Sequence, residues 1–176
     1  MTPLGREDSG AAQLGLAQMG LILLAAGLAG LVTACAATPL RPLPAINQRL
    51  EQNGSNRDPS LSGRWLALIS GRDGRERVEL IDLDQNRPVP LPGLNRPDAQ
   101  PLNISVDANG ERMALIRQRD GRTELALYRR SRESLQPLQL DPPGVPRQAQ
   151  LSADGRMLAV QVSRAGLWQV DLIELP

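Results

Sequence analysis

The sequence predicts an all-β fold built from three repeated multi-stranded units behind an apolar amino-terminal segment. Three observations carry this expectation. Three stretches align on one another around Gly63, Gly110 and Gly155, which are 47 and 45 residues apart. Each stretch is followed by a tight-turn signal: Asp73-Gly74, Asp120-Gly121 or Ala165-Gly166. After each turn comes a run that alternates with the period of two expected of a strand with one buried face. A repeat near 45 residues matches one four-stranded propeller blade.

Near the start of the chain no charge occurs between Ser9 and Leu40. Within it Met19–Ala34 is almost wholly apolar or small. As a helix it would span about 24 Å, short of the ~30 Å hydrocarbon core. That length suits the apolar region of an export signal rather than a lasting transmembrane helix. Arg6 precedes it together with Glu7 and Asp8, so the usual net positive charge is missing. Val32-Thr33-Ala34-Cys35 follows, and it resembles the lipobox of bacterial lipoproteins. The resemblance implies removal of residues 1–34 and lipidation of Cys35, the single cysteine of the chain. Two or more acyl chains hold a protein firmly on a bilayer, where one binds only marginally. Ala36 follows the lipid site, with no acidic retention residue, which points toward the outer membrane.

Residues 35–58 read as the lipidated terminus and a tether. Pro39, Pro42 and Pro44 stiffen its first part toward an extended form, and its second part is polar and rich in turn formers. The other reading is that part of Ala45–Leu50 adds a strand to the domain.

Residues 59–176 read as the folded domain, with units at about 59–95, 101–141 and 147–176. In each unit a short strand ends in Ser, a Gly-centred turn follows, and then an apolar strand: Trp65–Ile69, Met113–Ile116 or Met157–Val162. The second turn leads into Val78–Leu83, Thr123–Tyr128 or Leu167–Ile173. Asp-Gly supplies the positive φ that a two-residue hairpin needs. Proline-flanked fourth strands are expected near Val89–Leu94 and Leu135–Leu140, since proline tolerates only an edge. The third unit shows no fourth strand before Pro176.

The pattern is clearest in Ser152-Ala-Asp-Gly-Arg-Met-Leu-Ala-Val160. It resembles the TolB-like β-propeller repeat. Ser105–Ala114 reads as the same pattern with two extra residues between Asp107 and Gly110, and Ser62-Gly-Arg-Trp-Leu-Ala67 lacks the Asp. The resemblance implies a partial propeller of three TolB-like blades, and a non-enzymatic envelope protein that binds or scaffolds other proteins.

Composition narrows the chemistry further. All 20 basic residues are arginine, set against 19 acids, for a net charge of +1. A nucleic-acid partner needs a clustered basic excess, so none is expected. Histidine and lysine do not occur in the sequence. There is accordingly no Ser–His or Cys–His nucleophile, no Schiff-base lysine and no imidazole metal ligand. No cofactor or metal is implied, and Asp107-Ala-Asn-Gly110 is only a fragment of a calcium loop. Asp82 and Asp84 read as one face of a salt-bridged outer strand near Arg75, Arg77 and Arg87 rather than as a catalytic carboxylate pair. Trp65, Tyr128 and Trp168 are the whole aromatic complement, little to grip a sugar ring. A carbohydrate- or peptidoglycan-binding envelope protein is the alternative.

Partner contacts are expected on the connections entering each innermost strand: Arg57 and Asp58, Arg96 and Asp98, Arg147 and Gln148. Three blades leave two open sheet ends. Two copies would total six blades, so a symmetric homodimer closing one ring is one solution, and a self-contained arc completed by Ala45–Leu50 is the other.

Overall fold

In the computed structural model the described residues are 40–176; the lipobox Val32, Thr33, Ala34 and Cys35, and the preceding segment, lie outside them. The chain divides into residues 1–41 and a second compact unit, Pro42–Pro176. The second unit is built from one helix and eleven strands.

The helix, α1 (Pro44–Gln52), occupies the segment read as tether or added strand. Proline at its start has φ pre-set for a helix, and its missing N–H would be unpaired there anyway. Asn53 closes it, its N–H shared between the Arg49 and Leu50 carbonyls, and Gly54 follows at φ +89°. Nine residues are too few to hold a helix in water alone. Ile46 is buried, Asn53 Nδ2 donates to Glu79 at 2.8 Å, and Arg49 Nε donates to Asn86 at 3.1 Å. The tether expectation is therefore corrected over Pro44–Asp58, because β1 already begins at Ser55.

Three antiparallel sheets follow. Blade 1 is β1 (Ser55–Ser62), β2 (Trp65–Arg72), β3 (Arg75–Asp82) and β4 (Arg87–Val89), in that spatial order. Blade 2 repeats the order with β5 (Ala99–Val106), β6 (Arg112–Arg119), β7 (Arg122–Arg129) and β8 (Ser134–Leu138). Blade 3 has β9 (Val145–Leu151), β10 (Met157–Arg164) and β11 (Leu167–Glu174). The all-β partial propeller expected from the repeats is what the chain forms. The two fourth strands start and stop earlier than expected, β4 ending just before Pro90, which has no N–H to continue the ladder.

The turns between second and third strands are left-handed at both central positions. Asp73 and Gly74 lie at φ 53° and 75°, Asp120 and Gly121 at 51° and 73°, Ala165 and Gly166 at 47° and 80°. This matches the twist of the strands on either side.

Register fixes which residues are equivalent. Ala67 pairs Leu80, Ala114 pairs Leu127 and Ala159 pairs Leu172. By this register Asp107 stands where Ser152 does, and the turns that follow are equally long: Asp107 N–H donates to Arg112 O, Ser152 N–H to Met157 O. The insertion read into the second repeat does not exist. Asp107 Oδ1 receives the N–H groups of Glu111 and Arg112, and Ser152 Oγ receives that of Met157, so a carboxylate and a hydroxyl cap the same turn. It is the first repeat that is short, with Gly63 and Arg64 alone between paired Ser62 and Trp65.

Each blade has a forward face, toward the next blade in the chain, and a rear face. The forward face of blade 1 (Trp65, Ala67, Ile69, Val78, Leu80) packs on the rear face of blade 2 (Ile104, Val106, Met113, Leu115, Tyr128). The forward face of blade 2 (Ala114, Ile116, Leu125, Leu127) packs in the same way on Leu158, Val160 and Val162 of blade 3. Trp65 is the largest piece of the first interface. The Arg64 and Arg130 guanidinium groups each lie 4.8 Å from its ring centre. Its ring rests on Gly110, where an added Cβ would stand 2.5 Å from Cδ2.

Gly110→Ala should therefore be much worse than Gly74→Ala, although both glycines have positive φ (63° and 75°). At Gly74 nothing lies within 4 Å. The expected losses are roughly 2–4 kcal/mol at Gly110, from backbone strain plus overpacking, and about 1 kcal/mol at Gly74, from strain alone. Urea unfolding of the two variants measures the difference, and equal losses would contradict the Trp65 contact.

Candidate functional site: the inner strands and the last blade

The innermost strands β1, β5 and β9 stand side by side and line an open groove of about 580 Å³. Polar residues, among them Asp58, Ser60, Ser62, Asn103, Gln148 and Gln150, share its wall with apolar ones such as Leu61, Ile104, Val106 and Leu151. Because the blades are separate sheets, neighbouring inner strands do not share a backbone ladder. Side chains bridge them instead. Val106 N–H donates to Ser60 Oγ (3.1 Å), and Leu151 N–H donates to Ser105 Oγ (2.9 Å). Ala149 N–H donates to Asn103 Oδ1 (2.8 Å). Ser60 and Ser105 occupy the same register position, opposite Ala67 and Ala114. In blade 3 that position, opposite Ala159, is Gln150.

Arg57 belongs to this set of ties. Its Nη2 donates to Pro101 O (2.8 Å) and its Nη1 to Leu102 O (3.0 Å) of blade 2. The same guanidinium takes Glu76 with Nε (2.8 Å) and Nη2 (2.7 Å), and Asp58 with Nη1. Arg57 pairs Ile69 across the ladder as Asn103 pairs Ile116 and Gln148 pairs Gln161, so these three residues are equivalent. The hydrogen bond from Arg57 holds the Glu76 carboxyl down to about 2, with a smaller contribution from Gln100, against the opposing effect of burial.

The sequence-derived contact residues thus fall in different places. Arg57 and Asp58 lie within β1, and Arg147 and Gln148 within β9, rather than on connections. Arg96 and Asp98 alone are on a loop, where Arg96 Nε donates to Asp98 at 3.0 Å and that bond lowers the Asp98 carboxyl from its ordinary range. Arg57 is fully engaged within the fold, whereas Arg147 and Gln148 are exposed. Asp58 and Gln148 come together on the groove wall; Arg96 and Asp98 are not among its lining residues. Asn103 and Ser105 were not singled out from the sequence, although their spacing from Ser60 follows the repeat.

Asp82 and Asp84 do not share a strand face. Asp82 ends β3 and accepts the N–H groups of Asp84 and Gln85, while Asp84 is in the following turn. Their cation is Arg64, 3.6 Å from each, rather than Arg75, Arg77 or Arg87. Among the described residues no group of three His, Cys, Asp or Glu side chains is placed to hold a metal ion, and no helix is long and apolar enough to cross a membrane.

No protein-family model matches the chain, and no curated protein matches it in sequence. Solved structures do. TolB from Acinetobacter baumannii superposes with a TM-score of 0.52 at 19% identity, over 66% of this chain and 29% of that one. The fold is that of a TolB-like propeller. The chain spans less than a third of that TolB's length, in keeping with the three TolB-like blades it forms. A structure from a study of two prolyl endopeptidases aligns over 96% of this chain and 32% of its own, at a TM-score of 0.39 and 12% identity. At that level it bears on neither fold nor activity.

The Arg57–Glu76 tie makes a pH prediction. Glu76 is held below its ordinary 4.5 in the folded protein, so it contributes stability above that pH, and the contribution is lost as pH falls toward about 2. Glu76→Gln should lower stability by roughly 1 kcal/mol at pH 7, allowing for solvent screening of a partly exposed pair. It should also flatten the decline between pH 4.5 and 2. Thermal unfolding followed across that window measures both, and an unchanged acid limb would remove Glu76 as its source.

Proposed function

We propose that the chain is a non-catalytic envelope lipoprotein, anchored through Cys35, whose TolB-like blades bind or scaffold other proteins. The observation that carries this reading is the groove. It is open, and its wall carries neutral amides and hydroxyls with one carboxylate, Asp58, among apolar residues. Such a wall offers hydrogen bonds to peptide groups, and it brings together no nucleophile, base and orienting group of the kind a hydrolase needs. The likeness to TolB supports the propeller architecture on which the reading is built.

Anchoring rests on Val32-Thr33-Ala34-Cys35. Lipidation would place the propeller at a bacterial membrane facing the periplasm, with the outer membrane favoured by Ala36. Contacts with envelope proteins would fall on half-buried Asp58 and exposed Gln148 of the groove, on exposed Arg147 beside Gln148 in β9, and on Arg96 and Asp98 in the separate loop before β5.

Mass spectrometry of the protein from bacterial membranes should find an N-terminal Cys35 peptide carrying acyl mass, and Cys35→Ser should leave the chain unprocessed or released. An intact Met1 with a free thiol would overturn the anchor. A photo-crosslinking residue at Gln148 should capture a protein at the native membrane. Retention on purified peptidoglycan with no protein adduct would replace protein binding by the carbohydrate-binding reading.

A further inference from the structure

Because α1 belongs to the folded unit, little chain separates that unit from Cys35. Leu43, whose carbonyl accepts the Asn47 N–H in the first turn of α1, is eight residues after Cys35. At full stretch those eight residues reach about 29 Å, and the five to Leu40 about 18 Å.

This short stretch is apolar and basic. Leu40 is 93% exposed and Leu43 64%. The other large apolar side chains exposed among the described residues all sit on strands of blades 1 and 3, whereas these two lie outside every strand and helix. Arg41 stands exposed between them. From Cys35 to Leu50 the only charges are Arg41 and Arg49. Pro39, Pro42 and Pro44 carry no N–H, so the segment has few donors to leave unsatisfied where water is scarce.

The course of α1 settles which end of the blades the segment adjoins. Ser55, just past α1, pairs Gly71 at the end of blade 1 that bears the Asp73-Gly74 turn. Arg49, within α1, reaches Asn86 in the turn at the opposite end. The helix therefore runs, from its last residue to its first, toward the Asn86 end, and Leu43 continues past Arg49 in that direction.

We propose that Leu40–Leu43 is a second membrane contact, with both leucines in the interfacial layer of an anionic phospholipid bilayer and Arg41 at its headgroups. The proposal rests on lipidation of Cys35 as proposed above. Binding at an interface scales with the apolar area buried and with attraction to anionic lipid, and two leucines with one arginine are too little to hold a free protein there. A link of eight residues to acyl chains already in the bilayer makes their insertion an intramolecular step at millimolar effective concentration. The domain then rests with its Asn86 end toward the lipid. The loop of Arg96 and Asp98 leads into Ala99, which pairs Arg119 at the other end of the blades, so that loop faces away from the membrane, open to a partner.

The test uses the processed, lipidated chain in vesicles of phosphatidylethanolamine and phosphatidylglycerol. Acylation occupies the Cys35 sulfur, so an introduced cysteine is the single free thiol for a fluorophore. A label at Leu43→Cys should be quenched by lipids brominated near the headgroup and shielded severalfold from dissolved iodide, relative to one at Arg75→Cys. Energy transfer to a headgroup-labelled lipid should be severalfold greater from Gln85→Cys than from Arg75→Cys, exposed sites near opposite ends of blade 1. Leu40→Ser with Leu43→Ser should bring the two transfers together, with the circular dichroism spectrum unchanged. A residue-43 label as open to iodide as the one at residue 75, equal transfer from residues 85 and 75 in the chain that keeps both leucines, or transfers indifferent to the two serines would each overturn this contact. With acyl mass found on the Cys35 peptide of the same sample, any of those results leaves the anchor standing. A Cys35 peptide without acyl mass would overturn both.

Discussion

Three separate sheets can form one body only if something other than the backbone ladder joins them, and here side chains do so, with one backbone bond, Ala108 N–H to Ala153 O at 2.9 Å, beside them. Within each blade neighbouring strands pair by a backbone ladder, which stops at the free edge of the innermost strand. Those edges are where Ser60, Asn103 and Ser105 reach across, each taking one backbone N–H of the following blade. A buried N–H left unpaired costs about 1–3 kcal/mol, so these bonds set the relative height of adjacent blades. Once they are fixed, Trp65 meets Gly110, and Arg112 Nη1 meets the Gly155 carbonyl at 2.9 Å. The packed clusters between sheets form in that same alignment.

Arg57 shows the same constraint met with a charged residue. It replaces the neutral amide of the equivalent Asn103 with a guanidinium, which donates rather than accepts, and so it seeks carbonyls of the next blade instead of N–H groups. The charge requires a counter-ion, and Glu76 on the third strand of its own blade supplies one. One residue therefore ties strands β1, β3 and β5 together.

Much of this architecture was legible in the sequence because its determinants are local. A left-handed two-residue turn demands Asp-Gly or its like, a half-buried strand demands alternation, and both recur at one spacing. The helix α1 was not legible, since nine residues with two prolines at and before its start carry the same signals as an extended spacer, and its stability comes from Glu79 and Asn86 some thirty residues on. The phantom insertion near Asp107 arose because the eye aligns letters, whereas the register aligns roles: an Asp and a Ser cap the same turn. The groove was half legible. Asp58 and Gln148 were read as polar residues on the connections entering innermost strands, but which of the polar residues are spent inside the fold depends on the neighbouring blade. Arg57, chosen for its charge, is occupied by five acceptors.

The two tryptophans sit at opposite extremes of this arrangement. Trp65 is enclosed between two guanidinium groups at the first blade interface, while Trp168 stands in solvent on the last strand. Their fluorescence should separate accordingly: a blue-shifted component shielded from dissolved iodide, and a red-shifted one open to it. With no other tryptophan in the chain, the protein carries its own pair of optical reporters, one for the integrity of the stack and one for whatever comes to rest on its exposed end.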